Sequence, residues 1–185
     1  MRKVFIALLF LAFSWKMLPA QEEQPILIIV DMQEAFTQHQ MDSVVSQRLI
    51  KNINNFISGW RPEEVIFIQA HIQTLNISFK GIKVETEENL KLDGRLNRKK
   101  IDPVFMKEES SALTVSELSA YLESNQIDHL YLAGIYLGEC LSATAIDAKE
   151  KGYRVTVIRE AVTAKKTRKS EKMLRKLEKH GVEVI

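Results

Sequence analysis

An α/β domain, its mostly parallel sheet covered by helices on both faces, is the fold this sequence predicts, and three observations carry it. Short runs of apolar and β-branched residues recur along the chain. Segments with apolar spacing of three and four separate them, and several runs stop at a charged or reactive residue. Alternation of strand-like and helix-like patterns is what parallel strands joined by crossover helices require.

The elements follow in chain order. Residues 26–30 (ILIIV) are a continuous apolar run too short for a helix, as expected of a strand buried on both faces. Asp42 and Ser43 offer an N-cap to a helix whose stripe runs through Val44, Val45, Leu49, Ile53, Phe56 and Ile57 and which ends near Gly59. Residues 65–68 read as a second strand. Residues 104–106 read as a short third, entered through Pro103, which suits a strand start or a sheet edge. Thr114 and Glu117 have the spacing of a capping box ahead of a helix carrying Leu118, Tyr121 and Leu122. Strand 130–133, a helix over about 140–151, strand 154–158, a basic helix over about 169–179 and a last strand 182–185 complete the series. Ala143, Ala145 and Ala148 are small enough for their helix to pack close against the sheet. One connection is out of proportion. Residues 70–102 form a polar stretch where a few residues usually suffice, and such loops serve as lids or as solvated surface excursions.

Composition narrows the function classes. The chain has 185 residues, 26 Lys+Arg against 24 Asp+Glu, 45% hydrophobic residues and a single cysteine. This is the profile of one globular domain, with no internal disulfide framework and no cysteine-cluster zinc site. The balanced charge gives no excess for gripping nucleic acid, so no nucleic-acid partner is expected.

The first twenty residues stand apart. Arg2 and Lys3 precede an apolar run over 4–15, and Leu18-Pro19-Ala20 precedes the polar Gln21-Glu22-Glu23. This predicts a secretory signal peptide over 1–20, cleaved near Ala20, and a domain over 21–185. A run of twelve residues, apolar but for Ser14, at about 1.5 Å each falls short of a hydrocarbon layer roughly 30 Å thick, so no stable membrane anchor is expected after cleavage. The leader carries Arg2, Lys3 and Lys16 and no acid, so its removal takes the formal charge from +2 to −1. The expected location is exported, periplasmic or secreted.

Ligands of parallel α/β sheets bind at the carboxyl ends of the strands. The first strand ends at Asp31 and the third at Lys107. The fourth leads through Gly134-Ile135-Tyr136-Leu137-Gly138-Glu139 to Cys140 at the start of a helix. An acid, a cation and a thiol therefore converge on one edge. Taken singly, each has an ordinary structural role: a turn cap, a solvated charge, a small buried hydrophobe.

Taken together they resemble a known family. Asp31-Met32-Gln33 with Phe36, Lys107 with Ser111-Ala112, and Gly134-Ile135 leading to Cys140, Thr144 and Ala145 are similar in order and interval to the three signature segments of the isochorismatase-like cysteine hydrolases. The resemblance implies a three-layer α/β/α fold with a six-stranded sheet in order 3-2-1-4-5-6. It implies a catalytic triad of Asp31, Lys107 and Cys140, and a cis peptide just before the cysteine turn, at Tyr136–Leu137 by position. Phe36, His71, Tyr136, Leu137, Gly138 and Glu139 are the expected substrate-binding or oxyanion positions.

The chemistry suits these residue types. A thiolate is the nucleophile, and Lys107 together with the helix N-terminus at Cys140 is expected to lower the thiol pKa. Asp31 can take the thiol proton, hand it to a departing amine and later activate water. Backbone N–H groups of the turn before and at Cys140 can hold the developing oxyanion.

Departures from the family narrow the substrate. Metal-dependent nicotinamidases of the family carry Asp-x-His after the second strand and further histidines downstream. Here the triplet is Gln69-Ala70-His71, and Asn76 stands near the next expected His. No zinc or iron and no other cofactor is therefore predicted. Leu137 stands where many relatives have Thr. Retention of Cys140 favours cleavage of a C–N bond in a small amide or carbamoyl compound over vinyl-ether hydrolysis of the isochorismate type. The rival reading is a non-catalytic member that binds a small ligand in the same crevice. A phospho-receiver domain is excluded, because strand 130–133 ends without the required Asp. A small-molecule substrate is the expected partner, and a homo-oligomer is left open.

Overall fold

The computed structural model describes residues 23–60, 64–71, 73–78, 81–86 and 91–185. The signal-peptide reading of residues 1–20 lies outside the described residues. Eight strands form, β1 (Pro25–Val30), β2 (Val65–Ala70), β3 (Gln73–Ser78), β4 (Gly81–Thr86), β5 (Val104–Lys107), β6 (His129–Ile135), β7 (Arg154–Thr163) and β8 (Glu183–Val184). The helices are α1 (Glu34–Thr37), α2 (Ser43–Gly59), α3 (Ser116–Ser124), α4 (Cys140–Glu150) and α5 (Ser170–Lys179).

Six strands make one sheet in the order β5-β2-β1-β6-β7-β8, which in sheet-strand count is 3-2-1-4-5-6, and every pairing in it is parallel. β1 is central because it is apolar on both faces. Ile26, Ile28 and Val30 pack into one core with α3, α4 and α5, while Leu27 and Ile29 pack into the other with α2. Fully burying such side chains stabilises by roughly 1.5–3 kcal/mol each. The strand order reverses at β1, so β1–β2 and β1–β6 diverge at their carboxyl ends and open the crevice that this topology gives.

Several local expectations change. Asp42 caps α2 as its sequence implies, accepting from the N–H groups of Val44 and Val45. The capping box at Thr114 does not form. Ser111 instead caps a 3-10 turn over Ala112–Thr114, and α3 starts only at Ser116. The Ser111 hydroxyl accepts from the Leu113 N–H at 3.1 Å, and the Thr114 hydroxyl donates to the Ser111 carbonyl instead of capping α3. The long connection is partly regular: β3 and β4 form an antiparallel hairpin. Residues 91–96 then return to the core, with Leu92 and Leu96 against the α2 face. In α4, Ala145 and Ala148 are buried against the sheet, but Ala143 is not.

Candidate active site

Three strand ends and one helix start build the site. At the end of β1, Asp31 leaves the strand with φ 55°, a left-handed conformation that Asp tolerates better than most residues. Its N–H donates to Ile68 C=O (3.0 Å) and its C=O accepts from Gln33 N–H (2.8 Å), so the turn is tied at both ends. The Gln33 side chain pairs with both backbone groups of Ala70, donating from Nε2 (3.1 Å) and accepting at Oε1 (2.8 Å). This holds the ends of β1 and β2 in register. Opposite Val30 stands Gly134, φ 113°; a Cβ there would lie 2.1 Å from the Val30 carbonyl oxygen. Only glycine allows that approach, which brings the turn preceding Cys140 against the base of Asp31.

Lys107 ends β5, and its side chain crosses to Asp31, with Nζ 3.1 Å from Oδ2; the two side chains are 1% and 4% exposed. Nζ also donates to the Glu109 carbonyl at 3.1 Å. Asp31 Oδ1 is buried and has no hydrogen-bond donor fixed on it. Cys140 is half-buried at the first position of α4, where its thiol interacts with both Asp31 and Lys107. The three groups assembled from sequence spacing thus meet at one place.

Their electrostatics differ from expectation at the thiol. Burial pushes the Cys140 thiol above its ordinary value, the Asp31 carboxylate adds to that, and Lys107 opposes it without prevailing. The thiol is thus raised where Lys107 was expected to lower it, chiefly because it is buried and secondly because a carboxylate shares the pocket. Burial also raises the Asp31 carboxyl, against the pull of Lys107 and the Cys140 thiol. At rest the thiol keeps its proton beside a carboxylate suited to accept it.

Thr144, fully buried one turn after Cys140, fixes the helix relative to the segment that follows Lys107. Its hydroxyl donates to the Cys140 carbonyl (2.8 Å) and accepts from Ala112 N–H (3.0 Å). One turn further, Asp147 accepts from Ser111 Oγ at 2.7 Å. Residues 140, 144 and 147 share one helix face, so that face is stitched to 111–112.

The turn before Cys140 is more committed than expected. Leu137 N–H donates to Thr163 C=O, Gly138 N–H to Ser142 Oγ and Glu139 N–H to Tyr136 C=O. Those three amides are therefore spoken for. The Leu137 side chain is buried in the core with α4, so it sets no pocket polarity, and Glu139 is exposed and ion-paired with Lys165 at 3.0 Å. Cys140 supplies the first N–H of α4, a position that has no intrahelical acceptor, beside its own thiol. The cis peptide lies at Ile135–Tyr136, one bond earlier than expected. β6 pairs with β7 as far as Ile135, so the turn begins at Tyr136.

Phe36 on α1 packs edge-on against Tyr136, ring centroids 6.2 Å apart, and Lys165 Nζ stands 5.6 Å over the Tyr136 ring. His71 lies just past β2; its N–H donates to the Lys107 carbonyl, and Nδ1 is 3.8 Å from Glu108. Gln69 is neutral where a metal site of the family type wants a carboxylate. Among the described residues no three His, Cys, Asp or Glu side chains gather to hold an ion. These residues do not fit such a metal.

A second network escaped the sequence reading. Asp93 is buried and accepts from Thr37 Oγ1 (2.5 Å) and from Arg95 Nε (2.9 Å) and Nη2 (2.5 Å), which hold its carboxyl at about 2. Its N–H donates to Met32 C=O (2.9 Å), pinning the 91–96 segment beside Asp31. Asp93 sat in a polar stretch with no apolar period around it, and its partners are remote in sequence.

Fold and site together define a class: parallel α/β domains with an acid, an ammonium and a thiol at the carboxyl edge where the strand order reverses. Residues 25–185 match the Isochorismatase domain model, and the chain belongs to that family of hydrolases. It is 42% identical over 43 residues to the nicotinamidase of Saccharomyces cerevisiae, covering 23% of this chain and 20% of that protein. It is 36% identical over 59 residues to the maleamate amidohydrolase of Pseudomonas putida, covering 32% and 28% respectively. These curated matches therefore span less than a third of either relative. The crystal structure of N-carbamoylsarcosine amidase from Thermoplasma acidophilum superposes with a TM-score of 0.71 over 87% of this chain and 95% of that one, at 20% identity, a likeness of fold.

Proposed function

We propose that this protein is an exported cysteine hydrolase that cleaves the C–N bond of a small amide or carbamoyl compound through a thioester. The observation that carries the reading is the buried Asp31–Lys107 pair with the Cys140 thiol beside it. The relatives, a nicotinamidase and a maleamate amidohydrolase, support C–N hydrolysis.

Asp31 takes the proton of the Cys140 thiol as sulfur attacks the carbonyl carbon, so that charge appears on sulfur only while a bond is forming. The N–H groups of Tyr136 and Cys140 hold the oxyanion, a contribution of about 10²–10³ in rate per donor. Collapse expels the amine, which leaves with the proton held by Asp31. Asp31 then deprotonates water against the thioester, the acid departs, and the proton returns to sulfur. Lys107 keeps its charge throughout and holds Asp31 in place. Phe36 and Tyr136, packed edge to face, are the aromatic surface this reading assigns to the substrate, with His71 as a polar contact.

Intact-mass measurement across nicotinamide, carbamoyl compounds and short amides tests the chemistry. One panel member is expected to leave an acyl adduct on Cys140, and Cys140→Ala is expected to lose both adduct and turnover. Turnover by Cys140→Ala removes the covalent route. Export predicts that the protein recovered outside the cytoplasm begins at Gln21, which N-terminal sequencing checks.

A further inference from the structure

The near-neutral net charge conceals a strong segregation. Residues 165–180 hold eight Lys+Arg and two Asp+Glu, whereas residues 21–164 with 181–185 hold fifteen against 22. A domain that is acidic elsewhere thus carries one concentrated basic segment. That segment is the turn after β7 together with α5.

The structure puts these charges on the surface and leaves most of them uncommitted by acids. α5 packs inward through Leu174 and Leu177. Lys172, Arg175, Lys176 and Lys179 are exposed, and their spacing places them on one outward stripe; Lys166, Arg168 and Lys169 are exposed in the turn before it. The two acids of the segment, Glu171 and Glu178, are both turned to Arg159, which donates to Glu171 (2.6 Å) and lies 4.0 Å from Glu178. Among the described residues, Lys165 is the one of the eight cations that stands in an ion pair, with Glu139.

The end of α5 lies at the amino edge of the sheet. Four residues after Lys179, Glu183 meets Arg154 at 3.4 Å, and Arg154 also pairs with Glu23. Glu23 is where the chain leaves toward the apolar run of residues 4–15. Glu23, the first described residue, thus lies at the edge where the basic helix ends.

We propose that the outer face of α5, with the turn before it, is a docking surface for anionic phospholipid headgroups, holding the domain reversibly at a membrane. Charge complementarity favours it, since basic helices beside an anionic leaflet gain about fivefold in binding per cation. A convex stripe suits a flat headgroup layer, which meets α5 and leaves the acidic remainder of the domain in water. A long nucleic acid would run past the helix, about 15 Å in length, onto that acidic remainder.

The test is sedimentation of the full chain with vesicles of phosphatidylcholine alone and with about 30% phosphatidylglycerol. Preference for the anionic vesicles is expected, largely lost in about 0.5 M NaCl. The variant Lys172→Gln/Arg175→Gln/Lys176→Gln/Lys179→Gln is expected to lose at least a hundredfold of that preference; glutamine keeps helix propensity, and circular dichroism checks the fold. Equal binding of the unaltered chain to both vesicles overturns the proposal. So does a variant that keeps the preference, because Arg2, Lys3 and Lys16 of the leader then account for it. Tighter binding to a short DNA duplex than to the anionic vesicles overturns it too.

Discussion

The two ends of the sheet both gather charges around a buried titratable side chain, yet they are built to opposite specifications. At the carboxyl end, Asp31 and Lys107 are buried together and reach each other directly. At the amino end the buried group is His129, whose Nε2 pairs with Thr156 Oγ1 (2.8 Å), while its charged neighbours Glu23, Arg154 and Glu183 are about half exposed. Water screens the second set, and pairs of that kind contribute little to stability. It cannot screen the first. Ion pairs stand at both ends, so counting bridges would not locate the site; the burial of both partners does.

Breaking the buried pair should produce the largest effect. Lys107→Ala leaves the Asp31 carboxylate dry and unpaired, which costs about 3–5 kcal/mol, and is expected to lower turnover by at least about 10³-fold. Asp31→Asn/Lys107→Met removes both charges while keeping at position 31 a residue that tolerates φ 55°, and is expected to recover much of the stability and none of the activity. Urea melts with parallel turnover assays separate the two quantities. At the amino end, Arg154→Met should hardly move the urea midpoint, and a shift as large as that of Lys107→Ala would erase the contrast between the ends.

A smaller effect is expected where the site is held rather than formed. Thr144→Val keeps the shape of the side chain and removes both hydroxyl bonds, leaving the Ala112 N–H buried without its acceptor, a cost of about 1–3 kcal/mol. Cys140 then loses its tie to the segment after Lys107, and turnover is expected to fall about tenfold to a hundredfold. Thr144→Ser keeps the hydroxyl and should restore turnover while melting slightly earlier. If both variants turn over alike, the tie is structural only.

Legibility in the sequence followed the same division between buried and solvated. β1, β2 and β6 announce themselves because strands buried on both faces must be apolar at every position, and α2 because one face of it must be. The hairpin β3–β4 has no such requirement imposed by the main sheet, and its polar residues read as a loop. Asp31, Lys107 and Cys140 could be placed because each follows a readable strand or opens a readable helix. The state of the thiol could not, since it depends on how deeply the packing buries it and on the balance of Asp31 against Lys107, which no spacing encodes. The Asp93 network was equally silent, its partners Thr37 and Arg95 being joined by packing alone. Charge segregation on α5 was visible in the residues and hidden by summing them.

The smallest expected effect concerns His129, and its sign distinguishes the ends once more. Burial, reinforced by Arg154, holds the imidazole below its ordinary value of 6.5, against Glu23 and Glu183. The unfolded chain therefore binds a proton before the folded one does. This contribution to stability is complete above 6.5 and is lost as the pH falls from 6.5 toward the folded value. Asp31 runs the other way. Its carboxyl is raised above 3.8, so its contribution is present below 3.8 and lost as the pH rises through the folded value. Urea unfolding at a series of pH values from 7.5 to 5.5 is expected to show stability declining with acid, and His129→Gln, already less stable at pH 7.5, should flatten that slope. An unchanged slope in the variant would mean that the half-exposed charges, and not the buried ring, set the pH response of the amino end.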